Sequence, residues 1–218
     1  MDRDTFLARV GQAAMGSKLP LPAEQPGPLP EIDDGEDLLA LFRRRAVEVD
    51  AVVHGPVSRS GAARAVVGIA AGHGAVSFMA WDDLPASGVV PALIEAGLKR
   101  VDHQVPEDGR VAHHSSYRRL DLGVTGSLAG LAESGSVALT HGAGRPRMAS
   151  LVPEIHVALV EVETMERTLA HWAEKHPEAV RDTTNLVVVT GPSRTGDIEL
   201  QLNLGVHGPR HLHIVLMG

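Results

Sequence analysis

From residue 37 onward the hydrophobic period of the chain switches repeatedly between helical and strand-like, and this alternation constrains the fold more than any single residue does. Leu38, Leu39, Leu41, Phe42 and Ala46 recur at helical spacing and are followed by a short apolar strand at 51–53. Residues 60–71 then read as a helix, 75–80 as a strand, 89–101 as a helix and 121–124 as a strand running into a short helix at 127–133. Residues 135–140 and 155–162 read as strands, 165–175 as a helix, and 186–189 and 211–217 as two more apolar strands. Strands alternating with helices predict an α/β fold: right-handed crossovers and a mostly parallel sheet with helices on both faces. In such sheets ligands bind beyond the carboxyl ends of the strands.

Two stretches fall outside that rhythm. Residues 4–15 place Phe6, Leu7, Val10 and Ala14 on one face of a short amphipathic helix, and Pro20, Pro22, Pro26, Pro28 and Pro30 then forbid regular helix. The expected organisation is an N-terminal helix and Pro-rich linker at 1–36, followed by one α/β domain at 37–218. The polar segment 102–119, with Pro106, Gly109, His113, His114, Ser115 and Ser116, is expected to form a loop or flap.

Composition narrows the partners. A formal charge of −7 argues against nonspecific binding to nucleic acid or to anionic membrane, and three Phe, two Trp and one Tyr provide few stacking platforms for single strands. No apolar run approaches the roughly 18 residues of a membrane span, and MDRDTFLARV lacks a signal-peptide core, so a cytoplasmic protein without membrane insertion is expected. The chain has no cysteine, so it offers no disulfide, no thiolate nucleophile and no thiolate ligand for an iron–sulfur cluster.

Three strand ends lead into glycine-bearing polar turns. Thr125, Gly126 and Ser127 sit where a strand is expected to meet a helix N-terminus, either as an anion site or as a simple helix cap. THGAGRPR at 140–147 brings two arginines to a glycine loop, a carboxylate or phosphate clamp or an ordinary solvated turn; it fits neither a dinucleotide fingerprint nor a Walker loop. GPSRTGD at 191–197 reads as a loop that holds an anion through Ser193, Arg194 and Thr195, with Asp197 and Glu199 orienting the arginine or a ligand hydroxyl. The bland alternative is a polar turn closed by an Arg194–carboxylate pair. His207 is expected to approach Arg194 from the return segment 205–209. Ser193, His207 and Asp197 lack a nucleophile elbow, so a serine triad is disfavoured. Of twelve histidines, His211 and His213 share one strand face, but nothing marks a third ligand and no metal site is expected.

SRTGDIE followed by LGVHGPRHLHIVLM, together with GVTGSLAGLAESGSVAL and SLVPEIHVALVEVE, resembles the ordered motifs of the LUD-domain family, in its lactate utilization protein C branch. The resemblance covers about residues 37–218. It implies a NagB/RpiA/CoA-transferase-like α/β fold and a role in bacterial oxidation of L-lactate to pyruvate, alongside partner proteins that carry the iron–sulfur clusters. The expected role is an accessory or substrate-handling subunit binding a small carboxylate or phosphate-bearing ligand, with no cofactor on this chain. Two alternatives stay open. One is a CoA- or acyl-transfer enzyme using Glu133, whose AESG context is similar to the CoA-transferase glutamate motif but has Ser134-Gly135 where Asn-Gly is usual. The other is a noncatalytic metabolite sensor. Glu133 and His207 are the candidate catalytic groups.

Overall fold

A computed structural model describes residues 2–16, 35–104, 117, 120–179, 183, 185–195, 203–204 and 207–218. The chain divides into two units, Met1–Glu31 and Ile32–Gly218. In the first, Asp2 accepts the Thr5 N–H and hydroxyl at the start of helix α1 (Arg3–Gly16), on which Phe6, Leu7 and Val10 lie exposed. Most of the predicted loop 102–119 falls outside the described residues.

The second unit begins with a capped helix. The Asp37 carboxylate accepts the N–H groups of Leu39 and Ala40 at 3.0 and 3.1 Å, opening α2 (Leu38–Glu48), which buries Leu41, Phe42 and Ala46. Asp37→Ala is expected to lower the unfolding free energy by about 1 kcal/mol, measurable as an earlier urea midpoint with an unchanged slope.

Six strands form a wholly parallel sheet: β1 (Val52–Val57), β2 (Ser77–Ala80), β3 (Lys99–Arg100), β4 (Leu122–Thr125), β7 (Ile155–Glu161) and β12 (His211–Met217), in the spatial order β1-β12-β7-β4-β2-β3. Helices α3 (Arg59–Gly72) and α4 (Val89–Glu95) cover one face, where Val66, Ile69 and Leu93 pack with Phe78, Val157, Leu159 and Val215. On the other face Met79, Ala158, Val160, Ile214 and Leu216 meet Phe42 of α2, Ala149 of α5 (Met148–Leu151) and Val137 and Leu139 of a second sheet. That sheet runs β8-β5-β6-β9 and comprises β5 (Ala129–Leu131), β6 (Ser136–His141), β8 (Met165–Glu166) and β9 (Asn185–Val189); β5–β6 and β6–β9 are antiparallel. Trp172 of α6 (Leu169–Lys175) packs on its Ala129, Leu131 and Ala138. The α/β expectation holds, with apolar-on-both-faces strands as a covered parallel sheet requires.

Several element readings are corrected. Residues 127–133 are not a helix: β5 occupies 129–131 and leads into a hairpin turn whose Gly135 has φ +63°. A Cβ there would lie 2.2 Å from the Ala46 nitrogen, so the turn accepts only glycine and closes against α2. The predicted helix 89–101 stops at Glu95, because Gly97 at φ +88° breaks it and Lys99–Arg100 becomes a sheet edge. Residues 135–140 and 186–189 are strands of the second sheet and not of the parallel one. The last of these differences moves the candidate site.

Candidate functional site

The carboxyl ends of β1, β12 and β7 enclose a recess of about 570 Å³ lined by Ser58, Arg59, Ser60, Glu161, Glu163, Met217 and Gly218. This volume lies within the range of small-molecule sites. β1 delivers its turn sharply: Gly55, at φ +88°, lies where a Cβ would be 2.5 Å from the Leu216 carbonyl oxygen. The chain then enters α3 with Ser58 as N-cap, its hydroxyl oxygen accepting the Gly61 N–H at 3.1 Å and standing 3.0 Å from the Ser60 hydroxyl. The Arg59 and Ser60 N–H groups have no intrahelical acceptor, and the helix dipole adds partial positive charge. The Arg59 guanidinium pairs with Glu161, the last residue of β7. The α3 N-terminus, Arg59 and the Glu161 carboxylate thus share one recess, and a ligand with both an acidic group and a hydroxyl donor could take the place of the Arg59–Glu161 pair.

A smaller recess of about 170 Å³ follows β2, lined by Trp81, Asp82, Leu84, Ala86, Ser87, Val90 and Arg100. It lies by the crevice between β2 and β4, where successive connections depart in opposite directions. Its charges are largely matched: Asp82 takes Arg100 at 2.8 Å and His103 at 3.1 Å. Arg145 of the 140–147 glycine loop bonds to Asp83 and Thr140 and lies 5.5 Å over the Trp81 ring. That loop closes on the β2 turn through the Asp82 N–H and the Gly144 carbonyl. The volume falls below the usual ligand range, so this crevice is the weaker candidate.

The predicted site residues divide between opposite edges. Thr125, Gly126 and Ser127 are at the carboxyl end of β4, but no helix follows them, and their hydroxyls turn inward: Thr125 Oγ1 lies 2.9 Å from His156 Nε2, and Ser127 donates to the Leu159 carbonyl at 3.0 Å. Gly126 packs against Pro85 and the Trp81 ring. Ser193, Arg194 and His207 are at the amino edge, because β9 belongs to the antiparallel sheet and β12 begins only at His211. The Ser193 N–H donates to the Pro209 carbonyl at 2.8 Å, and a Cβ on Gly208 would touch the Ser193 side chain. Thus the 207–209 turn does close on Ser193, with His207 exposed. The Arg194 guanidinium instead reaches Asp50, which precedes β1. Gly191, at φ +72°, fits the same turn, since a Cβ there would meet the Val49 carbonyl at 2.2 Å. Arg194 and Thr195 pair in β10 (Arg194–Thr195) with β11 (Asn203–Leu204). Asp197 and Glu199 lie outside the described residues.

The parallel sheet is seven residues deep along β12, so roughly 20 Å separates the two groups, and they do not form one site. Glu133 is exposed in the β5–β6 hairpin, paired with Arg167 at 2.8 Å, and lines neither recess. Sequence reasoning passed over Ser58, Arg59 and Glu161. The available signal was a serine between an apolar strand and a helix, the usual N-cap pattern, at a strand's carboxyl end.

A family model for the LUD domain matches residues 39–217. The chain is 34% identical over 131 residues to lactate utilization protein C of Deinococcus radiodurans, covering 60% of this chain and 62% of that protein. It is 30% identical over 156 residues to lactate utilization protein C of a Geobacillus species, covering 65% and 62%. The chain therefore spans about three fifths of the length of these relatives. The crystal structure of a DUF162 family protein from Deinococcus radiodurans at 1.70 Å resolution aligns with a TM-score of 0.63 and 24% identity over 83% of this chain and 96% of that one, a likeness of fold. With its family model extending from the second helix to the last strand, the chain belongs to the LUD-domain family.

Proposed function

We propose that this chain acts in a bacterial lactate-utilisation system as a substrate-handling subunit, holding a small hydroxy or keto acid in the recess between Ser58–Ser60 and Glu161. The names of its lactate utilization relatives support the pathway. The observation that carries the site is the pairing, in one ligand-sized recess, of the α3 N-terminus and Arg59 with the Glu161 carboxylate. A ligand carboxylate takes the N–H groups and the guanidinium, while the α-hydroxyl of a hydroxy acid donates to Glu161; a keto acid is held through its carboxylate alone. The chain has no cysteine to ligate an iron–sulfur cluster, so any such cluster in that system sits on partner proteins.

A thermal-shift series with L-lactate, pyruvate and inorganic phosphate tests this reading. At a hundredfold excess over its Kd, a ligand selective for the folded chain adds about 2.7 kcal/mol, or roughly 5–10 °C for a chain of this size. The expected result is a rise with L-lactate or pyruvate that disappears in Arg59→Ala. A rise that survives Arg59→Ala, or no rise with either acid, removes the recess as the site. Unimpaired growth on L-lactate after deletion of the gene, in a strain without a second copy, removes the pathway assignment.

A further inference from the structure

At the amino end of the α3-covered face, four histidines from three elements come together. In the parallel register β1 pairs Val52 with His213 and His54 with Val215, so His54 and His213 are diagonal neighbours on one face, and His211 precedes His213 on it by two residues. α3 runs back across this face, and its C-cap residue is His73. His213 is buried and uses both ring nitrogens: Nδ1 lies 3.0 Å from His54 Nε2, and Nε2 lies 3.0 Å from His73 Nε2. The His211 ring lies against His73, with centroids 4.6 Å apart.

We propose that His73, His211 and His213 form a binding site for one divalent transition-metal ion of the zinc and nickel class, with His54 orienting His213. Two imidazole nitrogens bound to the same tetrahedral ion at about 2.0–2.1 Å stand roughly 3.3 Å apart, close to the His73–His213 separation. Two histidines at i and i+2 on a strand with a third from a neighbouring element make a three-imidazole donor set, which favours zinc, nickel or copper over magnesium or calcium. Among the described residues no three His, Cys, Asp or Glu side chains already surround one point. Binding therefore draws the exposed His211 ring inward by rotation about its side-chain bonds, while His73 and His213 are already opposed. The His54 contact to His213 Nδ1 matches the outer hydrogen bond that ligand histidines usually make. Glu154 and Arg210, paired with each other at 3.6 Å, are the charged groups beside His211.

Calorimetric titration of the full chain, stripped with EDTA and dialysed, with zinc, nickel and magnesium chlorides at pH 7.5 decides the matter. The expected result is one zinc or nickel ion per chain and no magnesium binding. His73→Ala and His211→Ala, both at exposed positions, should each weaken binding at least about tenfold, and His54→Gln should weaken it measurably, whereas His207→Ala should leave it unchanged. Absence of a stoichiometric site, or zinc binding of unchanged affinity in both His73→Ala and His211→Ala, overturns the proposal.

Discussion

Gly123→Ala is expected to cost at least about 3 kcal/mol of stability, the steep end for a single added methyl group. Gly123 sits mid-sheet in β4 with its neighbours packed directly on it: an ideal Cβ would lie 1.7 Å from the Ala149 carbonyl oxygen and 2.7 Å from both the Ala149 carbonyl carbon and Pro153 Cγ. The nearest obstacle is backbone, so no rotamer change relieves the overlap. α5 and the turn at Pro153 would have to lift from the sheet, and that turn supplies the Glu154 carbonyl that receives the Arg210 and His211 N–H groups at the start of β12. The measurement is thermal or urea unfolding of the two proteins side by side, with a melting temperature expected to fall by roughly 6–12 °C. Gly68→Ala in α3 is the internal comparison. Open space surrounds its added Cβ, and there the helix should gain about 0.5–1 kcal/mol. A Gly123→Ala protein as stable as the parent would mean that α5 does not pack on β4 as described.

The element pattern was most legible where a strand is buried on both faces. β7 and β12 read directly as IHVALVE and HLHIVLM because only a central parallel strand keeps so continuous an apolar run, and their positions match the expectation closely. The stretch 127–133 failed for the opposite reason. Leu128, Leu131 and Ala132 also fit helical spacing, and the decision belonged to contacts distant in sequence: the Leu128 N–H donates to the Ala138 carbonyl and the Ala132 N–H to the Glu166 carbonyl. A Cβ on Gly130 would press on Met165 Sδ at 2.7 Å, a packing constraint with no local periodic signature.

Of the candidate site only its edge of the sheet was legible, and the reason is topological. The rule that ligands collect at the carboxyl edge depends on which strands are parallel neighbours. Leu186 to Val189 is as apolar as a parallel strand, yet it runs antiparallel to β6, so the turn after it opens on the amino edge and Arg194 meets Asp50 there. An Arg194–carboxylate pair was foreseeable from the turn's composition, but its partner, 144 residues away, was not. The histidine group shows the same limit: His211 and His213 share a face by strand alternation alone, whereas His54 and His73 join them only through the β1–β12 pairing and the return of α3.

Acidification from pH 7 to pH 4.5 is expected to remove about 5 kcal/mol of stability, an effect large enough to unfold many domains of ordinary stability. Two buried histidines carry most of it. His156 on β7 is fully enclosed, its Nε2 beside the Thr125 hydroxyl and its Nδ1 without a hydrogen-bond partner among the described residues; burial first, and then nearby His141, push it down to about 3. His213 is pushed down to about 4 by burial, followed by His54, His73 and His211. In the unfolded chain both titrate near 6.5. Between that value and their folded values the unfolded state binds protons that the folded state refuses. Stability is therefore fully present above pH 6.5 and falls as the pH drops, towards about 4 for His213 and about 3 for His156. Over the two units from 6.5 to 4.5 each group contributes roughly 2–3 kcal/mol. The window separates this effect from ordinary acid unfolding, because unperturbed carboxylates titrate near 3.9–4.3 and are still largely ionised at pH 4.5. Urea unfolding at both pH values measures the loss, and His156→Gln should remove nearly half of it, leaving the His213 share and the contributions of His54, His141 and His211, which burial also holds below the usual histidine range. Equal losses in the parent and His156→Gln would show that His156 takes up its proton without unfolding, and the buried contact with Thr125 would then have to open to water in the native state.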